Sequence, residues 1–176
     1  YNRLTSLNEV GGHPEQFGIN TSDFHEHNLE KAYKQTMLGT STHDTKRSED
    51  IRARISVLSE IPDEWSAAIQ QWSKIGASAR VEVDGKLAPS PNDEYLLYQT
   101  LVGTYPLEND PAFEQRIIGY MQKAVNEAKV HSNWVNSNDD YHQAVAKFTT
   151  HLLNSDDFME SFIPFQKQNP MSLLCH

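Results

Sequence analysis

The chain has 176 residues, enough for one domain with a sizeable hydrophobic core, and its net charge is −9. This acidic balance argues against a nucleic-acid partner, because phosphate binding needs a basic surface. No apolar run is long enough to span a membrane, no secretory signal opens the chain, and the single cysteine, Cys175, cannot form an intrachain disulfide. We therefore expect a cytoplasmic protein with a neutral ligand, and the opening Tyr1 indicates a piece of a longer polypeptide.

The first forty residues predict little regular structure. A short apolar run over residues 4–10 could form a strand, and glycines interrupt the chain after it. A helix is predicted over Ser22–Lys34, with Thr21 or Ser22 as its cap. A short buried strand is predicted over Met37–Thr40, followed by a loop over Ser41–Lys46.

Apolar residues at helical spacing predict six further helices. They are expected over Arg47–Glu60, Asp63–Lys74, from the cap Asn92 or Asp93 to the stop Gly103, Pro111–Val130, Asp139–Leu153, and from the cap Ser155 onward. Pro164 is expected to kink or end the last helix. A small hairpin is predicted around Asp84-Gly85. Trp65 and Trp72 lie in one helical stripe, so they are either core residues, which the spacing favours, or a platform for a sugar.

A His-Asp pair, His43-Asp44, lies where the predicted strand meets the next helix. In α/β architectures functional side chains gather at this end of a strand. The residues alone leave two interpretations open. In the first, which the spacing favours, Asp44 or Thr45 caps the helix. In the second, Asp44 is a functional carboxylate oriented by His43, and Lys46 and Arg47 bind substrate hydroxyls or tune its acidity.

No complete catalytic set is visible in the sequence. It contains no Gly-x-Ser-x-Gly elbow, no phosphate-binding glycine loop and no His-Glu-x-x-His. Glycoside chemistry with retention needs two carboxylates about 5–5.5 Å apart. Glu9 is the nearest candidate partner for Asp44, although an ordinary loop acid is the favoured interpretation. His25 and His27 point to different sides of a helix, so a metal site is not predicted. No cofactor is expected either.

The stretch Thr40–Arg54 closely resembles the signature of the maltooligosyl trehalose synthases, a family of the α-amylase superfamily. The resemblance covers nearly the whole chain. It includes Tyr1–Leu4, Leu7–Gly12, Val57–Pro62, Glu94–Leu101, Tyr120–Ala124, and Glu127–Lys129 followed by His131 and Trp134. Departures such as Lys34-Gln35, where the family has Trp-Pro, lie outside the His-Asp motif.

The resemblance implies an enzyme that converts the reducing-end α-1,4 linkage of a maltooligosaccharide to an α-1,1 linkage, with retention and without a cofactor. It implies that Asp44 is catalytic and stabilises the transition state. His43 would bind the same sugar ring, and Lys46 and Arg47 would bind substrate near the acceptor side. The nucleophile and the acid/base would lie on missing barrel segments of the same polypeptide.

The resemblance also implies the architecture. The chain is expected to be mainly α: a helical insertion between strands seven and eight of a (β/α)8 barrel, with a short strand-loop remnant of that barrel. Residues 1–46 would be the barrel-derived segment and residues 47–176 the helical subdomain. The isolated chain is expected to be inactive. The alternative is a non-catalytic maltooligosaccharide-binding or structural helical module.

Overall fold

The computed structural model describes residues 10–13, 15–16, 18–35, 37, 39–106 and 108–168. These residues are mainly helical, as predicted. The helices are α1 (Thr21–Lys31), α2 (Glu49–Ser56), α3 (Pro62–Ile75), α4 (Pro91–Thr104), α5 (Phe113–Ala128), α6 (Asp139–Leu153) and α7 (Asp156–Gln168), with short 3-10 turns at His43–Thr45, Val57–Ser59 and Gly76–Ala79. Strands β1 (Val81–Val83) and β2 (Lys86–Ala88) form the predicted antiparallel hairpin, in which Val81 pairs with Ala88.

Each predicted helix is confirmed; the bounds of α6 are those predicted, and the ends of the others are displaced by a few residues. The side chain of Asn20 accepts a hydrogen bond from the backbone N–H of Asp23 (2.9 Å), so the cap of α1 is Asn20. Ser90 caps α4 in the same way, accepting from the N–H of Asp93 (3.2 Å). Both caps lie slightly earlier than predicted. Each accepts a hydrogen bond from a backbone N–H of the first turn, which has no acceptor within the helix.

The strand predicted over Met37–Thr40 does not form at Met37, Gly39 or Thr40, the residues of that range that the structure describes. The Met37 side chain is fully exposed. A strand needs a neighbouring strand for its backbone groups, and among the described residues β1 pairs with β2 alone. α1, just before, buries none of its side chains. Most of the run over residues 4–10, Glu9 and Cys175 lie outside the described residues.

Two residues that were expected to end or bend helices lie inside them. Gly103 is within α4, where a Cβ would lie 2.8 Å from Cγ2 of Ile51. The glycine therefore allows α2 to approach α4 closely. Pro164 is within α7, which continues past it. Gln166 is buried in the last turn of α7 and donates a hydrogen bond to the carbonyl oxygen of Val102 (3.0 Å), which holds that turn against α4.

Trp72 on α3 lies at the centre of the hydrophobic core and is fully buried. Its ring packs at centroid distances of 5.3 to 5.5 Å on Tyr98, Phe158, Phe162 and Phe165. Its indole N–H donates to Oγ of Ser161 (2.9 Å). Trp65 is also buried and packs edge-to-face on Trp72. The core interpretation of this pair is confirmed, and a sugar platform formed by the two rings is wrong.

Helices α2 to α7 contribute side chains to this core. α5 packs along α6, α4 contacts α2, α3 and α5, and α7 closes the core against α3 and α6. None of the helices that the structure describes is both long and apolar enough to cross a bilayer.

Candidate functional site

Two threonines set the shape of the loop that carries the His-Asp motif. Oγ1 of Thr42 accepts a hydrogen bond from the backbone N–H of Asp44 (3.2 Å), and the N–H of Thr42 donates to Oγ1 of Thr45 (3.2 Å). This reciprocal capping closes the 3-10 turn. Ser48 is the residue at the cap position of α2. Asp44 and Thr45 therefore do not cap that helix, and the first interpretation of the motif is wrong.

His43 and Asp44 present their side chains at the surface. The two side chains are 92% and 44% exposed, and Nε2 of His43 lies 3.2 Å from Oδ1 of Asp44. This contact is an ion pair when the imidazole is protonated. The backbone carbonyl of Asp44 accepts a hydrogen bond from the N–H of Val10 (3.0 Å). The carboxylate thus contacts its neighbour and is accessible from solvent.

Lys46 follows the turn and contacts α5. Its backbone is left-handed, with φ of 59°, which is uncommon for a residue with a side chain. Its Nζ lies 3.5 Å from Oε2 of Glu127, and the side chains of Lys46 and Glu127 are 22% and 25% exposed. The other Glu127 oxygen lies 3.8 Å from Nζ of Lys123, one turn earlier on α5. The Lys46 charge is therefore balanced inside a largely buried ion pair.

Arg47 joins the motif to the two central helices. It is 8% exposed, and its Nη2 donates to Oγ1 of Thr100 on α4 (2.8 Å). Its guanidinium carbon lies 3.9 Å from the ring centroid of Tyr120 on α5. Stacking on an aromatic face while donating within its own plane is a geometry that a guanidinium allows and an ammonium does not. Burial raises the pKa of the Tyr120 hydroxyl, so that hydroxyl remains neutral beside the cation.

The loop that carries the His-Asp motif also contacts the start of α2. The Ser41 hydroxyl donates to Oε2 of Glu49 (2.9 Å). A backbone hydrogen bond to the Glu49 carboxylate, followed by the bond from Ser41, lowers the pKa of this side chain. A carboxylate in the first turn also interacts favourably with the positive end of the helix. The motif is therefore held at both ends, through Ser41 before the turn and Arg47 after it.

A cleft of about 780 Å³ lies between the start of α4 and the end of α5. Its lining residues are Ser90–Asp93, Tyr95, Ala128, Val130 and His131. None of the four predicted site residues lines this cleft. The ranges that the structure describes contain no group of three His, Cys, Asp or Glu side chains that could hold a metal ion.

The four predicted site residues fall into two pairs. His43 and Asp44 lie together at the surface, whereas the charged ends of Lys46 and Arg47 contact α5 and α4. Substrate binding by these residues stays a prediction.

Sequence reasoning did not assign Thr100, Tyr120 or Glu127 to this site. The resemblance covered all three as parts of longer matching runs but gave none of them a role.

The chain has relatives in both sequence and structure. No family model matches it. A Mycobacterium tuberculosis protein assigned as a maltooligosyl trehalose synthase is 39% identical over 150 residues, which are 80% of this chain and 18% of that protein. The crystal structure of a hypothetical maltooligosyl trehalose synthase of Sulfolobus tokodaii superposes on 97% of the chain with a TM-score of 0.82 and 42% identity, over 23% of its own length.

The maltooligosyltrehalose synthase of Arthrobacter ramosus is a more distant relative with the same fold. It superposes on 97% of the chain with a TM-score of 0.75 and 28% identity, over 21% of its own length. The chain therefore spans about a fifth of the length of the relatives that it matches.

Proposed function

The chain matches one segment of the maltooligosyl trehalose synthases in both sequence and fold, and from this premise we propose that it contributes a catalytic carboxylate, Asp44, to such an enzyme. The observation that carries the proposal is the superposition of 97% of the chain on a synthase structure at 42% identity. The proposed arrangement has residues 1–46 as a barrel-derived segment and residues 47–176 as a helical subdomain.

The proposed reaction is an intramolecular transglycosylation. The α-1,4 bond to the reducing-end glucose of a maltooligosaccharide breaks, and an α-1,1 bond forms between the same two sugars. No water is consumed, and the reducing end disappears. Retention of configuration needs a nucleophilic carboxylate and an acid/base carboxylate. In this proposal both come from parts of the enzyme outside the chain.

Asp44 has the features that such a site needs from a third carboxylate. It is 44% exposed, and His43 contacts one of its oxygens. A fixed negative charge facing the sugar stabilises the positive charge that develops on the ring in the transition state. His43, at the surface beside it, binds a hydroxyl of the same sugar.

The two cations have different roles in this proposal. Lys46 binds hydroxyls on the acceptor side. Arg47 is buried between Thr100 and Tyr120. It acts by anchoring the loop, because a guanidinium buried in this way has little surface left for a sugar.

The test compares the isolated chain with the full-length gene product, each incubated with maltohexaose. The loss of reducing ends and the release of glucose are measured in parallel. We expect the full-length protein to remove reducing ends without releasing matching glucose, and the isolated chain to do neither. Glucose release alone would contradict the isomerase proposal. Turnover by the isolated chain that depends on Asp44 would contradict the proposed location of the other two carboxylates.

A binding module is the second candidate, and one exposed aromatic favours it. Trp134, in the connection between α5 and α6, is 65% exposed. An exposed indole face can stack on a sugar ring. Titration of the chain with maltohexaose, followed by tryptophan fluorescence, tests this function. A saturable change at sub-millimolar sugar that disappears in Trp134→Ala would support it, and an unchanged spectrum would exclude it.

A further inference from the structure

Glu127 lies in the last turn of α5 and contacts cations from two different parts of the chain. One carboxylate oxygen lies 3.5 Å from Nζ of Lys46, and the other lies 3.8 Å from Nζ of Lys123. The side chain of Glu127 is largely buried. The negative end of the α5 dipole lies at the same place and also favours a cation there. The C-terminal end of α5 thus binds the Lys46 ammonium.

The residues on either side of Lys46 are fixed by their own contacts, so the position of the lysine ammonium depends on the partner of its side chain. Thr45 is buried, and its hydroxyl lies 2.7 Å from the carbonyl oxygen of Thr42. Arg47 is held by Thr100 and Tyr120. A lysine stem has many rotamers, and it needs a partner to keep one of them.

Removal of the Glu127 charge would change the position of Lys46 for two reasons. First, the ammonium would lose its counter-charge in a partly exposed position, where the attraction between the two charges is weaker than in the interior but still favourable. Second, the ammonium groups of Lys46 and Lys123 approach the same carboxylate, so they would repel each other once that carboxylate is neutral. Both effects would move the Lys46 ammonium away from its observed position at the end of α5.

We propose that Glu127 is a positioning residue that holds the Lys46 ammonium at the end of α5, in the position from which it binds the acceptor side of the substrate, without itself touching the sugar. This inference rests on the proposed function. It extends the site from Lys46 to a residue 81 positions further along the chain, and it gives a role to a carboxylate that the proposed reaction does not otherwise use.

The test uses the full-length protein and maltohexaose, with Glu127→Gln as the main variant. We expect kcat/KM to fall about twofold to fivefold, the range for a partly exposed ion pair, with most of the change in KM because Lys46 acts in binding. Glu127→Asp, which keeps the charge, should recover part of the loss. Lys123→Gln, which removes the other cation from the same carboxylate, should leave both constants unchanged.

Glu114→Gln is the matched control on the same helix. Glu114 accepts hydrogen bonds from Thr150 (2.7 Å) and Asn154 (3.0 Å) on the α6 side, away from the motif. This variant should lower the melting temperature without changing KM. It separates a general loss of stability in α5 from the loss of a positioned cation.

A double-mutant cycle with Lys46→Met decides the question, because the effect of Glu127→Gln should disappear when Lys46 is absent. An equal loss in both backgrounds, or unchanged kinetics in Glu127→Gln, would overturn the inference while leaving the proposed function standing. Absence of isomerisation by the unsubstituted full-length protein would overturn the proposed function, and this inference with it.

Discussion

Replacement of Arg47 by lysine is expected to destabilise the helical unit although it conserves the charge. The guanidinium makes two contacts at once, donating to Thr100 at 2.8 Å and stacking 3.9 Å from the ring centroid of Tyr120. A hydrogen bond from a charged donor is worth about 1.5–3 kcal/mol, and a desolvated cation–π contact is worth about 2 kcal/mol. An ammonium is a compact point charge and cannot reproduce both geometries.

Arg47→Lys is expected to lower the free energy of unfolding by about 2–4 kcal/mol. This is less than the sum of the two contributions, because contacts that share a side chain are not additive. Urea unfolding of the chain, followed by circular dichroism, measures it. With an m value of about 2 kcal/mol/M, the midpoint should fall by about 1–2 M while m stays constant. Thr100→Val and Tyr120→Leu then show how the cost divides between the two contacts.

Arg116→Lys is the matched control. Arg116 is exposed and forms an ion pair with Asp110 at 2.5 Å. An exposed ion pair contributes about 0–1 kcal/mol, so this change should barely move the midpoint. Equal midpoints for Arg47→Lys and Arg116→Lys would refute the view that Arg47 anchors the loop to α4 and α5.

Three further predictions concern packing, pH and the motif itself. Gly103→Ala should cost about 1–3 kcal/mol, because a Cβ there would lie 2.8 Å from a side-chain atom of α2; Gly119→Ala, where a Cβ would meet nothing within 4 Å, should instead stabilise by about 0.5–1 kcal/mol. Thermal unfolding measures both, and shifts of the same sign would contradict the packing argument. Burial, and a hydrogen bond to Asp93, raise the pKa of Tyr141 above the ordinary value of about 10. The folded state therefore keeps this proton after the unfolded state has lost it, so the stabilisation is complete below pH about 10 and declines above it. Urea midpoints from pH 8 to 11 should show a flatter alkaline decline in Tyr141→Phe, and identical slopes would refute the assignment. Asp44→Asn should change the free energy of unfolding by less than about 0.5 kcal/mol, because its carboxylate is exposed; a larger loss in the same urea titration would mean that Asp44 has a structural role.

The helical part of the fold was accessible from the sequence because its signals are local. The stripe Phe113, Ile117, Met121, Ala124 and Val125 predicts the face of α5 that is buried in the structure. The bounds of α6 are those predicted, Asp139–Leu153, since capping and periodicity agree there. Asp84-Gly85 predicts its hairpin because both residues take positive φ, as a type I′ turn requires.

Features that depend on distant residues were not predictable in this way. Gly103 has the local signature of a helix stop, and its actual role follows from the approach of α2. The strand predicted over Met37–Thr40 depends on neighbouring strands that the described residues do not supply.

The same distinction between local signals and contacts of distant residues applies to the site. The adjacency of His43 and Asp44 is visible in the sequence, and the family resemblance made the pair a candidate. Arg47 and Thr100 are 53 residues apart, and no local pattern relates them. The same holds for Tyr120 and Glu127, which reach the motif because α5 packs beside α4.

The most direct test of the account is the activity of the full-length protein with Asp44→Asn. The amide has the size of the carboxylate and lacks its charge, so the fold should be conserved while the transition state loses its stabilising charge. We predict that kcat for the isomerisation of maltohexaose falls at least about 100-fold with an unchanged melting temperature, and that the exposed control Asp140→Asn has no effect. A kcat within about tenfold of the unsubstituted enzyme would contradict the assignment of Asp44 as a catalytic carboxylate.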